Sequence, residues 1–185
     1  GDTCGKQRAR RIGSPELSLS DADDQVLKTI AAGTFGPETP SKVGVAVSGG
    51  SDSMATLLLL SEVARDTGWT VSAVTVDHGL RPEAADEAAF VAAVCAERAV
   101  PHQTLHWKRA QKTGNLQDQA RRGRYGLITD WARGHGITHI ALGHTADDQA
   151  ETFLMNLARG SGIDGLVGMR HRWTADGINW ARPFL

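Results

Sequence analysis

Residues Val43–Val47 form a short β-branched run that stops at Ser48-Gly49-Gly50-Ser51-Asp52-Ser53 and passes straight into the apolar stretch Met54–Leu60. A buried strand, a tight turn and a helix start suit these three pieces. Two glycines remove Cβ atoms where the chain must bend. A helix that begins directly after the bend presents unpaired N–H groups and the positive end of its dipole at that point. Such a turn is a cradle for phosphate. The best-known loops of this kind close on Gly-Lys-Ser/Thr. Here there is no lysine, so the cradle must serve a different phosphate chemistry.

The rest of the chain alternates strand-like and helix-like segments. Asp21 or Asp23 caps a helix running to Ala32, and Gly33–Ser41, with two prolines, is a connector. The glycine turn leads into a helix over Asp52–Thr67, followed by a strand over Thr70–Val76. Pro82 at a helix entry, with Glu83, Asp86 and Glu87 in the first turns, predicts a helix to Arg98. Val100–Trp107 is the next strand, Asn115–Gly134 a long helix, Thr138–Leu142 a strand, and a helix runs from Ala146-Asp147 to Arg159-Gly160. A hairpin is expected around Asp176-Gly177. Alternation of this sort predicts an α/β protein: a doubly wound, mostly parallel sheet flanked by helices, with right-handed crossovers. In such sheets ligands bind at the carboxyl ends of the strands.

Composition narrows the classes. A chain of 185 residues fits one domain able to bury a sizeable core. Its two cysteines, Cys4 and Cys95, supply neither a disulfide framework nor a Cys-x-x-Cys site, which points to a reducing, cytoplasmic setting. No apolar run approaches the roughly 20 residues that span a bilayer. The net charge of −1 hides a segregation: between Trp107 and His135 seven basic residues face two acidic ones, a local net of +5. That stripe can contact a polyanion or simply be a solvated face. The five tryptophans are read mainly as packing residues, with base stacking as the alternative.

Three polar clusters fall at predicted strand ends: Ser48–Ser53, Asp77-His78-Gly79-Leu80-Arg81, and Gly143–Glu151. Their coincidence argues for one site. Asp52 would repel a polyphosphate unless it holds a divalent cation bridging the phosphate oxygens; its simpler reading is a helix N-cap. In His144-Thr145-Ala146-Asp147-Asp148-Gln149-Ala150-Glu151 the acids suit a helix start, yet three carboxylates and an imidazole exceed what capping needs.

Ser48-Gly49-Gly50-Ser51-Asp52-Ser53 resembles the PP-loop of the N-type ATP pyrophosphatases, which split ATP to AMP and pyrophosphate. Val76–Arg81, Gly114-Asn115-Leu116, Ala120-Arg121, Arg124-Tyr125, His144–Glu151, Arg159-Gly160-Ser161-Gly162 and Gly165-Leu166 resemble, as a set, the tRNA(Ile)-lysidine synthetase family over about residues 42–185. Thr145 stands where that family more often has a second histidine. The resemblance implies ATP and Mg2+ as cofactors. It also implies a tRNA(Ile) with a CAU anticodon and free L-lysine as partners, with a homodimer as the assembly left open. ATP would adenylate the C2 oxygen of the wobble cytidine, and the ε-amine of lysine would then displace AMP. Carried over residue by residue, Ser48, Gly49, Gly50, Ser51, Asp52, Ser53, Asp77 and His78 are expected to bind ATP, and Asp52 and Asp147 the metal. Asp52, Arg121, Arg124, His144, Asp147, Asp148 and Glu151 are expected in the catalytic set, with the arginines holding phosphate or tRNA, Asp147 and Asp148 taking metal or lysine, and Glu151 the lysine ammonium.

The competing readings are a tRNA thiolase of the same superfamily, a small-molecule amidating ligase and a non-catalytic nucleotide-binding module. The first calls for reactive cysteines, and Cys95 sits among Ala and Val on a predicted helix, where an inert buried thiol is the default. The second leaves the basic stripe unexplained, and the third leaves the acids so. Residues 1–18 are expected to be a disordered tail and 19–185 the catalytic domain, without the further C-terminal tRNA-binding domains of the family.

Overall fold

The computed structural model describes residues 21–36, 40–79, 83–108, 115–158 and 168–185. Elements run in the order α1 (Asp21–Ala32), β1 (Lys42–Ala46), α2 (Ser51–Thr67), β2 (Thr70–Asp77), α3 (Glu83–Glu97), β3 (His102–His106), α4 (Leu116–Gly134), β4 (His139–Leu142), α5 (Ala146–Ala158), β5 (Arg172–Ala175) and β6 (Ile178–Ala181). They build a six-stranded sheet of order β3-β2-β1-β4-β6-β5. All neighbouring strands pair in parallel except β5, which closes the sheet antiparallel to β6 across the Asp176-Gly177 turn. Each expected element is present within about two residues of its predicted ends; the segments at Leu80-Arg81, Gly114 and residues 159–167 lie outside the described residues.

Strand side chains alternate between two cores. Val43, Val45 and Val47 of the β1 segment, with Val71, Ala73, Ala141 and Ala181, pack against α1, α2 and α3 through Ala31, Leu57, Leu60, Val91 and Cys95. Val74, Ile140, Leu142, Ile178 and Trp180 point the other way, onto Ile128, Trp131 and Ala132 of α4. Burial of each large apolar side chain contributes about 1.5–3 kcal/mol, so both faces of the sheet are held strongly. The chain moves outward through β2 and β3 and then returns to place β4 on the other side of β1. That reversal creates a crevice at the carboxyl ends of β1 and β4.

Trp69, Trp131 and Trp180 are buried and Trp107 and Trp173 half-buried, consistent with packing. Cys95 is 1% exposed and burial pushes its thiol up from the ordinary value, the opposite of an activated thiolate. Among the described residues, no helix is long and apolar enough to cross a membrane.

Candidate active site

The glycine turn lies at the crevice. Gly49 has φ +91°, and a Cβ there would also approach the Glu87 side chain on α3 at 3.2 Å, so glycine is needed twice over. The N-cap of α2 is Gly50, and no side chain caps it. Asp52 is therefore a first-turn residue and not the N-cap. Ser53 ties the loop: its hydroxyl donates to the Gly50 carbonyl at 2.9 Å and accepts from the Ser48 N–H at 3.1 Å. Ser48 Oγ lies 3.2 Å from Ser53 Oγ. Ser51 Oγ donates to Asp52 Oδ1 at 3.2 Å, and Asp52 is exposed.

Directly beside this loop runs the segment after β4. A Cβ on Gly143 would sit 2.5 Å from Ser53 Cα, 2.8 Å from Ser53 N and 2.9 Å from the Asp52 carbonyl oxygen. The two loops are in backbone contact, and Gly143 is what permits it. His144 follows at once, half-buried. Its Nδ1 accepts from Arg182 Nε at 3.3 Å. An arginine can only donate, so Nδ1 carries no proton and the neutral ring holds its hydrogen on Nε2.

Arg182 follows β6, whose Ala181 pairs with Ala141 of β4; this register carries it alongside His144. It is 5% exposed. Nη1 donates to the Arg170 carbonyl at 2.7 Å, Nη2 to the Tyr125 hydroxyl at 3.4 Å, and the guanidinium lies 4.4 Å over the Trp173 ring. Every one of these partners is neutral. Among the described residues no carboxylate is within ion-pair distance of it, and it lines the cleft between α4 and the β5–β6 hairpin.

A parallel pairing stands after β2. Arg124 Nε donates to His78 Nε2 at 3.3 Å, leaving the His78 proton on Nδ1, which is buried without a partner. Trp107 packs edgewise on His78 at 5.7 Å. Asp77 turns the chain by accepting from the Gly79 N–H at 2.7 Å and lies 3.5 Å from His106 Nδ1. Both histidines are held below their ordinary value. Burial is the main cause at His78, helped by Arg124 against Asp77. Burial again leads at His144, helped by Arg182, Arg124 and Arg121 against Asp148. His102, bonded to Thr75 Oγ1 at 2.9 Å, is lowered by burial.

A lowered imidazole binds fewer protons folded than unfolded as pH drops below about 6.5. Stability from these groups is therefore present above that pH and is lost as pH falls through the folded values. The melting temperature is expected to decline on acidification below about 6.5, with a shallower acid limb in the His144→Gln protein. An unaltered limb in that variant contradicts this assignment.

The acids of α5 divide. Asp148 Oδ2 accepts from the Thr145 N–H at 2.8 Å and from its hydroxyl at 3.4 Å. This is the return half of a capping box, which aims α5 at the site. Asp147 and Glu151 are exposed one turn apart. No contact among the described residues draws either to Asp52, and no group of three or more His, Cys, Asp or Glu is placed to hold a metal on its own. Arg121, exposed on α4, lies 5.7 Å from the Tyr125 ring centroid. The structure thus joins the predicted Ser48–Ser53, His78, Arg124 and His144 along one edge; it adds Arg182, which lay in none of the predicted clusters, and gives Gly143 and Tyr125, named there only as members of a motif, specific contacts. Only the β4–β6 register shows whom Arg182 meets.

A family model described as the PP-loop domain matches residues 21–185. The chain belongs to the PP-loop family. Among curated proteins it is 51% identical over 151 residues to the tRNA(Ile)-lysidine synthase of Ruegeria pomeroyi, covering 82% of this chain and 36% of that protein. The tRNA(Ile)-lysidine synthase of Zymomonas mobilis is 46% identical over 166 residues, covering 89% and 47%. The chain thus spans about a third to a half of the length of these curated relatives. Among solved structures, the U34-tRNA thiolase NcsA from Methanococcus maripaludis with its [4Fe-4S] cluster superposes with a TM-score of 0.71 at 21% identity, covering 86% of this chain and 58% of that one. NH3-dependent NAD synthetase from Campylobacter jejuni gives a TM-score of 0.55 at 12% identity, covering 87% and 65%. These two show the PP-loop fold and nothing more specific.

Proposed function

We propose that this PP-loop domain catalyses lysidine formation on a tRNA(Ile) with a CAU anticodon. The observation that carries the reading is the convergence, at one crevice, of an uncapped helix N-terminus with two arginines held by neutral histidines. Identity to curated tRNA(Ile)-lysidine synthases over most of the chain supports the choice of acceptor.

The residues suggest a division of labour. The α2 N–H groups with Ser48 and Ser51 bind ATP phosphates, and the unpaired Nδ1–H of His78 suits a nitrogen or oxygen acceptor on the nucleoside. The cytosine C2 oxygen attacks the α-phosphorus, and the bond to the bridging oxygen breaks to release pyrophosphate. Arg124 and Arg182 direct positive charge at the phosphoryl group, where it builds up in transfer. The unprotonated ε-amine of lysine then forms a bond to C2 and gives up a proton to water, as the C2–oxygen bond breaks and AMP leaves with that oxygen. Asp147 and Glu151, open on α5, suit the lysine ammonium. Asp52, with one oxygen unengaged, fits Mg2+ carried in on the nucleotide, since Mg2+ takes few protein carboxylates and keeps waters and phosphates as its other ligands. Bound there, the ion would offset pyrophosphate charge. Soluble, cytoplasmic operation accords with this chemistry.

The test is product analysis with ATP. Pyrophosphate formed with the CAU tRNA, and free AMP formed only when lysine is present as well, is the expected result. AMP formed with ammonia and no tRNA would instead identify an amidating ligase.

A further inference from the structure

A cleft of about 420 Å3 opens between α4 and the β5–β6 hairpin, beside Arg182. Its apolar wall is aromatic. Trp173 and Trp180 lie 5.9 Å apart and within 7° of parallel, and Tyr125 meets them edge-on at 6.4 and 4.9 Å. Its charged lining is Arg121, Arg170 and Arg182 against the single carboxylate of Asp176. The volume is in the range of small-ligand sites.

We propose that this cleft binds the unpaired nucleotide next to the one that reacts, with the base against the half-buried Tyr125 and Trp173 and its phosphate on the exposed Arg121 and Arg170. The inference rests on the reading of the site as one that acts on tRNA. Electrostatics disfavours lysine here: an amino acid with an extra ammonium would enter a lining of net positive charge. A phosphate with a planar base suits it, since arginine and aromatic side chains together are what single-stranded RNA binds. Geometry assigns the neighbour and not the reacting base. β4 lies between β6 and β1, and strands are about 4.8 Å apart, so the cleft is roughly 10 Å or more from the glycine turn. That is the reach of an adjacent nucleotide, while the reacting oxygen must touch the α-phosphate at the turn.

The test uses the chain with a CAU anticodon stem–loop in which each loop uridine in turn is 4-thiouridine. After irradiation, crosslinks are expected in the peptides holding Tyr125 and Met169–Trp180. Trp173→Leu and Arg170→Glu should each weaken stem–loop binding about tenfold, the scale of one lost base stack, with ATP affinity unchanged. Arg170 is exposed, so its variant keeps the test valid if Trp173→Leu disturbs Arg182. If the stem–loop binds but crosslinks fall elsewhere and neither variant weakens it, the cleft assignment is overturned while the tRNA reading stands. Binding no better than that of a hairpin with a scrambled loop overturns both.

Discussion

Gly143→Ala is expected to lose AMP formation by about 100-fold, the penalty of moving a catalytic group by roughly 1 Å. The added methyl would meet Ser53 Cα, Ser53 N and the Asp52 carbonyl at 2.5 to 2.9 Å. All three are backbone atoms in the first turn of α2, so no side-chain rotation relieves the clash. The β4 loop must retreat from the glycine turn and take His144 with it. Overpacking should also cost about 1–3 kcal/mol of stability, which denaturant unfolding would read. Near wild-type AMP formation in a folded Gly143→Ala protein would show that contact between the two loops is dispensable.

Arg182→Lys is expected to be nearly as damaging although charge is conserved. A lysine cannot donate at once to His144 Nδ1, the Arg170 carbonyl and the Tyr125 hydroxyl, nor present a flat guanidinium to Trp173. Leaving buried acceptors unsatisfied costs about 1–3 kcal/mol each, and a loss of about 2–4 kcal/mol overall is anticipated. In Arg182→Met the His144 imidazole should rise part of the way toward its ordinary value, since burial, which stays, and Arg182, which is removed, together hold it down. Nitrogen-detected NMR of the ring reads that change and the Nε2–H tautomer directly. An unmoved His144 titration would sever the proposed pair.

Much of this was legible in the sequence because it is local. The β-branched run, the double glycine and the leucine stretch each carry their own backbone preference, and β1, the turn and α2 follow. Asp77-His78 and His144 could be placed near that turn because parallel α/β sheets put strand ends on one edge. The remainder depends on contacts between distant segments. Gly143 reads as an ordinary glycine until its backbone is seen against Ser53. Arg182 acquires its partners from the β4–β6 register and from Tyr125 on α4, which no spacing encodes. Asp148 stood in the sequence as one of three equivalent acids; only its bond to the Thr145 N–H separates its capping work from the open carboxylates of Asp147 and Glu151. Asp52 was open to an N-cap reading until Gly50 proved to hold that position.

Activation of a tRNA oxygen by adenylation in the crevice is read by following the α-phosphate. With [α-32P]ATP, Mg2+ and the CAU tRNA but no lysine, label should appear on the tRNA. Adding lysine should discharge it as AMP while leaving lysine on the wobble cytidine. Label that never joins the tRNA, or that appears only in ADP, would contradict the account.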